Sequence, residues 1–340
     1  MNTEPQPNKK IYSLQYLRAF AAIWVLITHV LQRLDIHPAG VAFAGQWGVD
    51  IFFLLSGFII YYTTKDYSSW KSFALKRVFR IYPAYLVCLA VYCTNSLVYN
   101  GGGYNLLTII QNIVMVPFSG PIGFKSLIVG QAWSTCYEVY FYTLFALLLF
   151  AGVSKKWLLP LITALFAIGF TIWRYYPSGG FCGYLLSLFG AQHVLFFCEG
   201  IVIALMASGI QRFEIKKGLL TIIAMLSLMA YITFMCRSYS FFTSLVVSPV
   251  VFIVVYKANE IVPENGIVHR SMLTLGDISF SIYLIHSVVI RFLLNQCHID
   301  DFWSLLLVTL VVTILLSLLC YTLVEKRFID FGKQLSLKFI

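Results

Sequence analysis

Long apolar runs alternate with short polar stretches along the whole chain. A helix rises ~1.5 Å per residue, so about 20 apolar residues cross a hydrocarbon core of ~30 Å. Runs of that kind lie at 14–33, 46–63, 79–98, 132–152, 157–174, 183–207, 217–235, 240–257, 272–295 and 302–323. They predict an all-α polytopic membrane bundle of about ten transmembrane helices, one integral-membrane domain over 1–340. Residues 1–13 and 324–340 fall outside the runs and are expected as tails. The stretch 104–118 is apolar but short and contains Pro117, which predicts an interfacial or re-entrant segment.

Two polar positions break the first run. Arg18 and His29 stand eleven residues apart in LQYLRAFAAIWVLITHVL. Eleven steps of ~100° return to within about 20° of the start, so both side chains share one helix face, roughly 16 Å apart along the axis. Ionisable residues inside a span are costly and usually face a bundle interior or a water-filled path. Two of them on one face predict a polar path through the bundle.

Composition agrees with the pattern: 60% of the 340 residues are hydrophobic and 11% charged, where a soluble domain carries about a quarter charged residues. The net charge of +10 is spread through short loops, which argues for a topology signal and against a nucleic-acid patch. One set of segments collects Lys9, Lys10, Lys71, Lys76, Arg77, Arg80, Lys155, Lys156, Lys216, Lys217, Lys326 and Arg327, among others. The opposite set holds Arg33, Lys125, Arg174 and Arg237. The positive-inside rule therefore places both termini in the cytoplasm. The first run imitates a signal peptide, yet it contains His29 and leads into another span, so it is expected as a retained helix. The eight cysteines form no CxxC pair and no metal-ligand spacing, so no metal site is expected. Most suit apolar packing, with a disulfide left open among Cys182, Cys236 and Cys297.

Depth follows from position along each run. His29 lies about fifteen residues from the inner end of its helix, roughly 22 Å in. Glu138, in WSTCYEVYFY, is expected about six residues below the outer end of its run, at similar depth. Asp50 sits near the outer end of the second run, and His286 near the outer part of the ninth. Four titratable groups are thus expected to converge in the outer third of the membrane. A His beside a carboxylate acts as a general base, the acid fixing its tautomer. For acyl transfer to an alcohol, the pair would deprotonate the hydroxyl, or His would take the acyl group itself. Arg18 suits the phosphates of an acyl carrier. In FALKRVFRIYP, Lys76, Arg77 and Arg80 read either as snorkelling anchors or as an anionic cofactor site at the cytoplasmic mouth. His193 and Glu199 read as interhelical partners.

These stretches resemble the membrane-bound acyltransferase family 3, whose members O-acylate bacterial glycans, and especially its exopolysaccharide-production branch. The resemblance rests on LQYLRAFAAIWVLITH, GVDIFFLLSGFII, FALKRVFRIYP, WSTCYEVYFY, SFSIYLIH and YTLVEKRF in order along the chain. It implies a bacterial inner-membrane enzyme that passes acetyl groups from cytoplasmic acetyl-CoA to hydroxyls of a cell-surface polysaccharide or its lipid-linked precursor, with no permanently bound cofactor. It further implies that His29 is catalytic, that Arg18 serves the CoA end, and that Arg80 and Glu138 take part. The expected site is His29, Glu138 and Asp50 for catalysis, with Arg18, Arg80 and Arg77 holding acyl-CoA. Membrane lipid is the expected surrounding and nucleic acid is not an expected partner. The sequence departs from the family at Val139, where a second acid is common, and at Arg327, where many members carry Pro. The rival reading is a transporter or flippase for a glycan or small anion. No internal repeat of the kind such folds carry is visible, which favours the enzyme.

Overall fold

The computed structural model describes residues 11–36, 45–64, 69–99, 102–115, 127–175, 193–235 and 239–339, and the regular elements among them are all helical. The long helices are α1 (Tyr12–Arg33), α2 (Gly45–Thr63), α3 (Trp70–Tyr99), α4 (Leu106–Ile113), α5 (Trp133–Phe150), α6 (Lys155–Tyr175) and α7 (His193–Arg212). They continue as α8 (Lys217–Met235), α9 (Phe241–Lys257), α10 (Ile267–Asp277), α11 (Ser279–Asn295), α12 (Phe302–Cys320) and α13 (Lys326–Ser336). Among the described residues, eight segments are long and apolar enough to cross a membrane, or nine if the bent pair α10–α11 is one span. The chain is a multi-pass membrane protein.

That count differs from ten for a local reason. The α2 run, expected as the second span, is not in the set, because Gln46, Asp50 and three glycines dilute its apolar residues. Those glycines are what seat α2 at the centre of the bundle. A Cβ added at Gly57 would come 2.0 Å from the Phe197 carbonyl oxygen, and one at Gly200 would come 2.2 Å from that of Leu54. Small residues let the backbones of α2 and α7 approach closely where lipid supplies no hydrophobic drive between helices. Outward faces stay apolar: Leu307, Val311, Leu315 and Leu319 of α12 are all exposed at spacing four.

Three other boundaries move. The expected helix 272–295 is broken at Ile278 by a 70° bend between α10 and α11. Gly276 there packs against the Gln15 carbonyl, and His269 of α10 bonds Tyr16 Oη at 2.9 Å, so α10 turns to lie across α1. The tail expected from 324 is instead helical over Lys326–Ser336 after a π-helical turn at Tyr321–Glu325. Phe79 of α3 stacks on Phe328 and meets Phe331 edge-on, which docks α13 on α3. Finally α3 begins at Trp70 rather than near 79, so Arg77 and Arg80 ride on the same continuous helix as Pro83. The short helix α4 agrees with the expectation that 104–118 is not a span.

Cys297 is a free, exposed thiol, while Cys182 and Cys236 lie outside the described residues.

Candidate active site

The polar residues of the bundle gather in three places rather than one. The first is a cavity of about 250 Å³ lined by Arg18 of α1, Arg77 and Arg80 of α3, and Glu138 and Tyr142 of α5. Ser56 Oγ donates to Glu138 at 2.8 Å, and Tyr142 Oη donates to the same carboxylate oxygen. The Arg77 guanidinium lies over the rings of Phe73 and Tyr142, 5.3 and 5.2 Å from their centroids. Its Nε is buried without a hydrogen-bond partner. Three guanidinium groups against one carboxylate in the lining leave this cavity cationic. Glu325, on the π-helical turn, takes a hydrogen bond from Ser281 and lies within electrostatic reach of Arg18 and Arg80.

The second place is a cavity of about 360 Å³ lined by His29, Gln32, Arg33, Gln131, Trp133 and Arg291, with Gly130 and Ser287. His29 Nδ1 donates to the Val25 carbonyl at 2.8 Å, the bond that fixes its tautomer and leaves Nε2 as the basic nitrogen. His286 makes the same bond to Ile282 at 3.0 Å, and its Nε2 is buried without a partner. The two imidazoles lie 4.9 Å apart.

Asp50 occupies the third place, fully buried between α2, α7 and α9. Tyr239 and Ser244 donate to its Oδ2 at 3.0 and 2.5 Å, and His193 Nδ1 lies 3.4 Å from its Oδ1. His193 is itself held by Gln46 and stacked on Phe53.

The expected convergence of His29, Glu138, Asp50 and His286 therefore splits. His29 and His286 meet; Asp50 joins His193; Glu138 sits with the arginines. The reason lies at the start of α5. The expected run starts at 132, but Ile128, Val129 and Gln131 before it are buried along with Ala132, so α5 begins at the level of His29. Glu138 is thereby carried toward Arg18. Arg18, Arg77 and Arg80 do share one cavity, as their sequence pattern suggests.

Tyr283 links the linings of the two cavities. It lines the arginine cavity together with Ser134. Its Oη donates to the Gln131 carbonyl at 2.6 Å and shares a 2.7 Å hydrogen bond with Ser134 Oγ. Gln131 in turn lines the His29 cavity, and the Tyr283 ring is 6.1 Å from that of His286. Sequence reasoning passed over Tyr283, Arg33, Trp133 and Arg291. Only Arg291 carried a usable signal, as a charge inside an apolar run.

A family model described as an acyltransferase domain matches residues 11–322. The chain belongs to the acyltransferase 3 family. As a member of that family it is an acyltransferase, and the match covers α1 to α12 with both cavities. Its relatives include the exopolysaccharide production protein ExoZ of Rhizobium meliloti (strain 1021), 27% identical over 72% of this chain and 77% of that protein. Nodulation protein 10 of Rhizobium leguminosarum bv. viciae is 38% identical over 28% of this chain and 27% of that protein. Acyltransferase MdmB of Streptomyces mycarofaciens is 34% identical over 24% of this chain and 23% of that protein. No solved structure matches the chain.

Proposed function

We propose that this acyltransferase passes an acetyl or other short acyl group from cytoplasmic acyl-CoA to a hydroxyl of a cell-surface polysaccharide or its lipid-linked precursor, in a bacterial inner membrane. The observation that carries the reading is the pair of cavities meeting at Tyr283, one rich in guanidinium groups and one containing a histidine with a free Nε2. An acyl donor bearing phosphates suits the first: guanidinium binds phosphate bidentately, and the orphaned Nε of Arg77 is a donor in search of an acceptor. The Arg18 end faces the cytoplasm in this reading, which puts the His29 end outward, where a surface glycan meets it. The name of the exopolysaccharide relative supports a polysaccharide acceptor.

The chemistry assigns one role to each group. His29 Nε2 takes the proton of the acceptor hydroxyl as its oxygen attacks the thioester carbonyl. The C–S bond then breaks, the thiolate leaves, and the imidazolium returns the proton to it, giving free thiol and an O-acyl ester. The Val25 carbonyl does for His29 what a carboxylate does elsewhere, holding Nδ1–H and orienting the ring. Glu138, bonded by Ser56 and Tyr142, offsets part of the positive charge of the arginine cavity instead of assisting His29. Asp50 acts at a distance, fixing α2 against α7 and α9.

The test is base-labile acetyl on the host's purified surface polysaccharide, read by proton NMR, in a deletion strain complemented with wild type or His29→Ala at matched expression. Acetyl with wild type alone supports the assignment; equal acetyl with both removes His29 from the mechanism. Acyl-CoA consumption by purified protein separates the enzyme from a transporter, which leaves the thioester intact.

A further inference from the structure

The His29 cavity carries more positive charge than base catalysis requires. Arg33 closes the last turn of α1, and Arg291 projects from α11 one helical turn beyond Ser287, so α1 and α11 aim two guanidinium groups at one space. The two are close enough for their charges to repel. No carboxylate is among the described residues that line the cavity. A cation in the last turn suits the helix dipole, which accounts for Arg33. It does not account for Arg291, which is held in place from behind. Its guanidinium lies over the Tyr92 ring, 5.9 Å from the centroid. Tyr92 Oη is bonded by Gln131 Nε2 at 2.9 Å, and the same amide nitrogen donates to the Leu284 carbonyl at 2.6 Å. Arg291 is therefore seated on a ring, a contact that leaves the N–H donors of its planar guanidinium free for an acceptor. Two positioned, mutually repelling guanidinium groups beside a polar cavity in a membrane domain call for an anion. Trp133 supplies an apolar indole wall to the same space, suited to the C–H face of a sugar ring.

We propose that Arg33 and Arg291 form an oxyanion clamp for the glycan acceptor, so that the substrate is an acidic glycan: its phosphate or carboxylate is held between the two arginines while a nearby hydroxyl is presented to His29. This deepens the acyl-transfer reading and rests on it for the word acceptor; the clamp itself is a binding site and is tested as one. The oxyanion has two sources, the pyrophosphate of a polyprenyl-linked glycan or the carboxylate of a sugar acid.

The experiment measures equilibrium binding to the purified full-length protein in phosphatidylcholine nanodiscs with two matched pairs of probes. One pair is a uronic-acid oligosaccharide and its carboxyl-reduced neutral counterpart. The other is a neutral oligosaccharide on a polyprenyl pyrophosphate and the same glycan on an uncharged polyprenyl ether. The expected result is a preference of about tenfold or more for the charged member of at least one pair. Preference in the first pair alone assigns the carboxylate, and in the second alone the lipid pyrophosphate. The Arg33→Gln/Arg291→Gln double variant should abolish that preference, and Arg33→Lys/Arg291→Lys should keep part of it. No preference in either pair, no binding of either charged probe, or a preference that survives the double Gln variant overturns the clamp. Acyl-CoA turnover is measured beside it. A charge preference without turnover overturns the acyl-CoA reading and leaves the clamp standing; turnover without preference does the reverse.

Discussion

Two histidines in this protein sit in opposite surroundings. His193 lies 3.4 Å from a buried carboxylate, Asp50, and is walled by Phe53, Trp133 and Tyr137. His29 has a backbone carbonyl on Nδ1, a second histidine 4.9 Å away and a polar cavity in front. The His–carboxylate pair is the arrangement a search for a catalytic base would select first. Here it lies outside the residues that line either cavity, and both Asp50 oxygens face groups from α7, the segment before α9, and α9 itself. A carboxylate beside histidine marks a cluster that locks helices together as readily as one that does chemistry. Access to a cavity separates the two.

The largest effect that sharpens this contrast is expected at His29. In His29→Ala the acyl-transfer rate falls by about 10³, the range of a lost general base, with the thermal unfolding midpoint unchanged; a residual rate within tenfold of wild type would break the contrast. Asp50→Ala should invert the pattern. Removing the carboxylate takes the acceptor from Tyr239 Oη and leaves Ser244 Oγ with Ser248 Oγ alone, a loss of about 1–3 kcal/mol. The midpoint drops, while turnover per folded molecule stays within about threefold, comparable to the smallest effects that rate ratios resolve. A kinetic loss at Asp50 as large as at His29 would place both residues in one site. His286→Ala comes next: its imidazole, held through Nδ1 by the Ile282 carbonyl and with no partner on Nε2, packs on His29, and its loss is expected to cost about tenfold in rate, equivalent to about 1.4 kcal/mol, through misplacement of His29. The smallest effect belongs to the residue linking the cavities. Tyr283→Phe removes the bonds to the Gln131 carbonyl and Ser134, each worth about 1 kcal/mol net. Release of thiol from acyl-CoA without an acceptor should then rise severalfold as water reaches the donor. An unchanged uncoupled rate would show that shielding of the donor does not depend on those bonds.

Much of this was legible along the chain. The spacing of Arg18 and His29 sets their common face and their separation, because both ride on the unbroken helix α1. The arginines of FALKRVFRIYP likewise point to the same cavity as Arg18, since α3 carries Arg77 and Arg80 three residues apart. The depth of Glu138 was not legible. It depends on how far residues 127–132 are pulled inward, and that is decided by Ile128 N–H donating to Asn112 Oδ1 and by Gln131 reaching Tyr92 and Leu284. The bend at Ile278 was hidden for a similar reason: Gly276, Asp277 and Ser279 interrupt the run only briefly, and the turn is imposed by α1 lying beneath α10.

By itself the sequence determined that this protein lies in a membrane, where its helices run, and which polar residues share a helix face. Those properties follow from hydropathy and from a period of ~3.6 residues, both of which are local. Only the tertiary structure decided which carboxylate meets which histidine, that Tyr283 links the linings of two cavities, and that Arg33 and Arg291 line one of them from α1 and α11. Those outcomes depend on the rotation and depth of one helix against another. Close contacts such as Gly57 on Phe197 and Gly200 on Leu54 set them between residues more than a hundred positions apart, beyond the reach of any periodic pattern.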